Sequence, residues 1–141
     1  MSPTIAAAPF PERATLTRDP AAQAFLLMRV VFTVAPILFG LDKFAGVLTD
    51  DWTRYLAPEF NDLIPGSAAT AMHIVGVVEI LAGLVVLVTP RFGGLLVAGW
   101  LAGIILNLLL VGGYGDIALR DLGLLAGALA LSRLATPPRP A

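Results

Sequence analysis

The chain has no cysteine and a single histidine, His73. It therefore holds no disulfide, no thiol redox couple, no iron–sulfur cluster and no thiolate metal site. One imidazole does not make a histidine-rich metal cluster. It can ligate a haem axially, but a low-spin haem takes a second ligand, and Met72 is adjacent to His73 rather than opposed to it. Neither a metal nor a haem is expected. Charge is scarce as well, at 13% of 141 residues, where an ordinary soluble domain carries roughly 25%. The net charge of -1 offers no basic field for nucleic acid.

What is abundant is apolar sequence, 57% of the chain. Four runs hold most of it: Ala21 to Val47, Ala68 to Val88, Phe92 to Val111 and Ile117 to Leu134. Each is long enough, or nearly so, to cross a hydrocarbon core of about 30 Å at about 1.5 Å per helical residue. The pattern predicts an all-α integral membrane protein. Four transmembrane helices form one domain over residues 21–134, flanked by Pro/Ala-rich tails at 1–20 and 135–141, with no length left for a soluble domain. Tails of that composition are expected to be disordered. The first run, preceded by Arg13 and Arg18, resembles a signal peptide. It is longer than a secretory h-region of roughly 7–15 residues and lacks a small-x-small cleavage site, so it reads as a retained span.

The tails and the turn at Thr89–Arg91 share one side and carry Arg13, Arg18, Arg91, Arg133 and Arg139. The opposite side carries Arg54 with Asp50, Asp51, Glu59, Asp62 and Asp116. The positive-inside rule places both termini in the cytoplasm. Helix punctuation is equally legible. Pro36 and Gly40 predict a kink in the first span, Pro90 ends the second, Gly112-Gly113 ends the third, and Asp116 suits the N-cap of the fourth. Between the first two spans, Trp52, Tyr55, Leu56, Phe60, Leu63 and Ile64 recur at helical spacing among acidic residues. That spacing predicts a short interfacial helix anchored by aromatics and broken at Pro58. It either covers the bundle end or acts as a lid. Gly99 and Gly103, Gly123 and Gly127, and Gly76 and Gly83 predict the faces on which helices approach closely.

Ionisable and amide side chains inside apolar runs are costly, so they are expected to face one another or a polar cavity. The set is Arg29, Asp42, Lys43, His73, Glu79, Asn107, Arg120 and Asp121. Counted from the helix ends, Asp42, Lys43, His73, Asn107, Arg120 and Asp121 share a layer roughly 6–8 Å below the outer surface. Shared depth on four helices predicts one polar pocket of ligand- or quinone-binding residues under the 48–67 segment. Arg29 and Glu79 lie deeper, at similar distances from the cytoplasmic ends, which predicts a buried ion pair. No catalytic residue stands out.

Several motifs resemble the DoxX-like family of small bacterial four-helix membrane proteins. They are Leu27-Met28-Arg29 followed by Phe39-Gly40-Leu41-Asp42-Lys43-Phe44, the run from Gly76 through Glu79 to Leu84, and the run from Asp116 through Arg120-Asp121 to Leu124. The resemblance covers about Phe25 to Leu134. It implies a four-helix bundle in a bacterial inner membrane, associated with respiratory or sulfur redox enzymes. Relatives that use thiols need cysteines, and this chain has none.

The functional expectation is an integral membrane subunit or anchor of a larger redox complex, without catalytic activity of its own. Its partners are other membrane subunits and the lipid bilayer. The alternative is a membrane oxidoreductase component that binds quinone or lipid in the outer pocket, where His73, Arg120 and Lys43 donate and Asp121 or Asp42 orients them. A small transporter or assembly factor is a third option.

Overall fold

A computed structural model describes residues 9–137. Those residues are helical, without a β-strand among them: α1 (Arg13–Leu16), α2 (Pro20–Ala45), a 3-10 turn (Trp52–Tyr55), α3 (Pro58–Asn61), α4 (Ala68–Val88), α5 (Pro90–Val111) and α6 (Gly115–Leu134). Local chemistry sets the ends. Asp19 caps α2 by accepting from the Ala21 N–H, and Gly46, at φ 64°, closes it in the left-handed conformation that glycine adopts without strain. Pro36 is accommodated inside a continuous α2. Ser67 caps α4 by accepting from the Thr70 N–H. Pro90 opens α5 where a missing N–H costs nothing. Asp116 is not the N-cap of α6. Tyr114 takes that position, and Asp116 sits in the first turn, where the helix dipole still favours its charge.

Three helices, α2, α4 and α5, are long and apolar enough to cross a membrane, which suggests a membrane-embedded protein. α6 has the length, at 20 residues. Every 18-residue stretch of it, however, contains at least three of Asp116, Arg120, Asp121 and Arg133. The outward faces carry large apolar side chains, among them Leu27, Leu38, Leu81, Leu95 and Leu109. A soluble monomer avoids such continuous exposure, whereas lipid accepts it.

The long helices pack in sequence order, α2 on α4, α4 on α5 and α5 on α6, with α6 returning to touch α2. The α2–α4 pair is antiparallel and built on glycine. A Cβ at Gly40 would fall 2.5 Å from the Gly76 carbonyl oxygen, and one at Gly83 would fall 2.6 Å from the Thr33 oxygen. These backbones touch, so any side chain there forces them apart. Gly94 packs as closely on Ala128 of α6, and the Ser132 hydroxyl donates to the Arg91 carbonyl at 2.8 Å. The core between the pairs is Phe32, Ala82, Val86, Val97, Ala98, Leu101, Ala128 and Leu131.

Two glycine expectations need correction. Gly99, Gly103 and Gly123 have nothing within 4 Å of a notional Cβ, so they serve no packing within this chain. Gly127 alone of those four meets a neighbour, the Phe32 ring of α2. The tail expectation is also corrected in part. Residues 9–19 lie ordered against the helices, with Pro9 and Phe10 touching Arg29 and with the Gln23 side chain donating to the Leu16 carbonyl at 2.7 Å. The outer parts of both tails, 1–8 and 138–141, lie outside the described residues.

The 48–67 segment forms two separate single turns, with the break before Pro58 that the sequence predicts. The 3-10 turn ends at Leu56, and Pro58 is the first residue of α3. Because proline has no N–H and restrains the residue before it, it starts a turn here instead of continuing one.

Candidate functional site

The polar residues fall into two groups, one where residues 46–67 cover the helices (the loop end) and one near the termini. At the loop end the Lys43 ammonium meets the Glu79 carboxylate at 2.7 Å, with side chains only 4% and 10% exposed. The Trp52 ring covers Lys43 with its centroid 4.0 Å from Nζ. The same indole donates from Nε1 to Asp42 at 3.0 Å. Trp52 thus joins two consecutive residues of α2 by its face and its edge, and Phe39 braces it edge-on at 6.3 Å.

Asp42 binds the loop itself. Its carboxylate accepts from the backbone N–H groups of Val47, Leu48 and Thr49 at 2.8, 2.9 and 3.2 Å. These donors follow the end of α2 and have no helical partner, so one carboxylate satisfies a whole turn. Asn107 of α5 clamps the segment from the other side. Its Oδ1 accepts from the Ala57 N–H at 2.7 Å, and its amide nitrogen donates to the Tyr55 carbonyl. Ala57 is fully buried beneath this clamp. Tyr55 packs on Tyr114 at 4.9 Å, tying the 3-10 turn to the loop before α6. Outside the helices, Thr53 donates its hydroxyl and N–H to Asp51, which holds that carboxyl below the usual carboxylate range.

Two further groups approach the ion pair. Asp121 on α6 is half-buried and within electrostatic reach of Glu79. The Trp100 indole N–H on α5 is buried and also interacts with Glu79, yet no acceptor stands at hydrogen-bond geometry.

The single pocket expected from shared depth is not assembled. Asp42, Lys43 and Asn107 are brought under the 46–57 segment and bonded within the fold. His73 is exposed on α4, stacked on Phe44 at 4.7 Å, beside a shallow apolar groove that also involves Thr70, Ile74 and Val77. Arg120 points outward from α6 with its side chain 78% exposed, 3.9 Å from Asp116 one turn earlier. Counting along the helices gives depth but not azimuth, and azimuth separates His73 and Arg120 from the rest.

The expected Arg29–Glu79 pair is replaced by Lys43–Glu79. The reason is register. Gly40 meets Gly76, Thr33 meets Gly83 and Arg29 reaches Leu87, so each step along α2 is matched by a step back along α4. α2 therefore overhangs α4 near the termini, and equal counts from unequal ends do not mean equal depth. In this register Glu79 lies level with Ile37, about 12 Å from Arg29 and about 9 Å from Lys43 along the axis. Side chains lean toward the N-terminus of their own helix. In an antiparallel pair that brings Lys43 and Glu79 together and carries Arg29 away.

Arg29 anchors the terminal group and is 2% exposed. Its Nε donates to the Leu87 carbonyl at 3.1 Å, joined there by Nη2, and Nη1 donates to the Pro9 carbonyl at 3.2 Å. Phe10 lies against the guanidinium at 4.0 Å and Phe25 at 5.7 Å. Leu87 belongs to the last turn of α4, whose carbonyls lack helical donors. Arg29 supplies them and pins the chain ahead of α1. Sequence reasoning missed Trp52 as a bridge, Trp100 beside Glu79, and Leu87, Pro9 and Phe10 as partners of Arg29. Only Trp52 carries a sequence signal, as an amphipathic ring near a membrane surface. No metal-binding group of acidic or histidine side chains occurs among the described residues. Comparison of the chain with protein-family models, characterised proteins and solved structures finds no match.

Proposed function

We propose that the protein is a non-catalytic membrane subunit or anchor of a larger redox complex in a bacterial inner membrane. In this reading α6 is a fourth span and both termini are cytoplasmic. The observation that carries it is the commitment of the polar side chains at the loop end. Asp42 takes four donors, Asn107 makes two backbone bonds, and Lys43 is consumed by Glu79 and Trp52. These groups close the bundle end rather than present free donors to a substrate. The redox association comes from the resemblance of the Arg29, Asp42-Lys43, Glu79 and Arg120-Asp121 motifs to the DoxX-like family.

A second reading, a quinone- or lipid-binding component, draws on one observation, the buried Trp100 N–H, whose contact with Glu79 falls short of hydrogen-bond geometry. Buried donors are normally satisfied, and a carbonyl or headgroup oxygen would satisfy this one. Mild-detergent purification from native membranes, followed by native electrophoresis and mass spectrometry, separates the two. A stoichiometric redox enzyme in the complex supports the anchor. A quinone retained by the isolated chain, and lost in Trp100→Phe, replaces that reading with the second. Isolation with neither would overturn both.

A further inference from the structure

We propose that the outward face of α6 is a parallel, two-fold interface with a second copy of this chain. The inference deepens the subunit reading and rests on its placement of α6 in the membrane. α6 differs from the other long helices in what it shows to its surroundings. All four turn large apolar side chains outward, Leu119, Leu122 and Leu129 among those of α6, and α6 alone adds an exposed pair of opposite charges one turn apart. α6 turns out Asp116 and Arg120, 67% and 78% exposed, held only by a 3.9 Å contact. Charges on a membrane helix face are expensive toward lipid and are normally met by protein.

The sign pattern selects the occupant. Asp116 and Arg120 are opposite charges one turn apart on one face. A two-fold axis along the membrane normal puts the same residues of two copies at the same depth. Arg120 of each copy then reaches up one turn, about 5.4 Å, to Asp116 of the other. An isologous contact needs a self-complementary patch, and this row is one, with two reciprocal charge-assisted pairs and no net charge.

The outward side of the helix runs from Asp116 through Leu119 to Gly123, Ala126 and Ala130, all exposed, with Arg120 at its edge, and below Leu119 it narrows to small residues. A Cβ at Gly123 would meet nothing within 4 Å, so packing inside the chain does not require glycine there. Small side chains let two such helices approach closely under the ionic contacts. Gly99 and Gly103 of α5 are equally open, but that face has no charge to choose an occupant.

Because the chain lacks cysteine, Gly123→Cys and Ala126→Cys each introduce a single thiol. Oxidation in native membranes with copper phenanthroline should link these variants into homodimers and leave Leu81→Cys and Leu109→Cys as monomers. In the Gly123→Cys background, Arg120→Asp should lower the linked fraction roughly tenfold. Adding Asp116→Arg should restore it, since the swapped row is again self-complementary. Equal linking at all four positions, or α6 linking indifferent to Arg120→Asp, would overturn the interface. Absence of α6 linking also overturns it. In that case a co-purified foreign subunit leaves the anchor reading standing, and its absence removes that reading too.

Discussion

The two ends of the α2–α4 pair bury a cation in different ways. At the loop end Lys43 meets a carboxylate, Glu79, under an indole. Near the termini Arg29 meets the Leu87 and Pro9 carbonyls between two phenyl rings. The side chains suit these settings. A compact ammonium concentrates its charge and is best buried against a counter-charge. A planar guanidinium spreads its charge over five donors and can serve several carbonyls at once. The loop end is therefore an electrostatic lock and the terminal end a hydrogen-bonding clasp. Both fasten irregular chain, residues 46–57 in one case and 9–10 in the other, to the helical scaffold.

Breaking the lock should have the largest effect. Glu79→Ala leaves the Lys43 ammonium buried without its partner and should cost about 3–5 kcal/mol. Thermal unfolding in detergent reads this. The double variant Glu79→Ala with Lys43→Met should recover part of the loss, because it removes the orphan charge while the cavity left by alanine remains. Full additivity of the two changes would contradict the lock.

The clasp should fail at a smaller cost and in a different place. Arg29→Lys keeps the charge but loses the fork, and about 1–3 kcal/mol is expected from the unsatisfied carbonyls. Trypsin should then cut faster at Arg13 and Arg18, while hydrogen exchange at Val47 to Thr49 stays unchanged. If a lysine at 29 protects the arginines as well as the natural residue does, the distinction between the ends falls.

Asn107→Ala removes the clamp on the 3-10 turn without touching the ion pair. About 1 kcal/mol per lost bond is expected, offset where water reaches the freed groups. The Ala57 amide should exchange faster, and the Lys43–Glu79 coupling measured by the double variant should persist. Loss of that coupling in Asn107→Ala would mean that clamp and lock are one unit.

The smallest effect is a pH response of the loop. The Asp51 carboxyl is held below its ordinary value by bonds from Thr53. It thus stabilises the 3-10 turn above the unfolded carboxylate range, and that contribution is lost as pH falls through the lower folded value. In a Trp100→Phe background, Trp52 fluorescence should change on acidification below the usual aspartate range. Thr53→Ala should move that change to higher pH. Identical profiles would remove Asp51 from the account.

Much of this architecture was legible without coordinates. Apolar run length, Pro90 and Gly112 mark α4 and α5 because span length and helix breakers are local properties. Pro58 divides the 48–67 segment for the same reason. The polar groups were legible as a set but not as pairs. Counting from helix ends paired Glu79 with Arg29, where the register pairs it with Lys43. His73 and Arg120 matched the other polar residues in depth and yet lie on exposed faces.

By itself, then, the sequence determined that the chain is helical and apolar, where its long helices stop, and which side chains are costly to leave alone. Only the tertiary structure decided which partner each of those side chains takes. That choice depends on how far α2 overhangs α4 and on the way each helix is turned. Both follow from backbone contact at Gly40–Gly76 and Thr33–Gly83, between residues distant along the chain. A glycine reads the same in sequence whether another backbone rests on it, as at Gly76, or nothing in the chain does, as at Gly123.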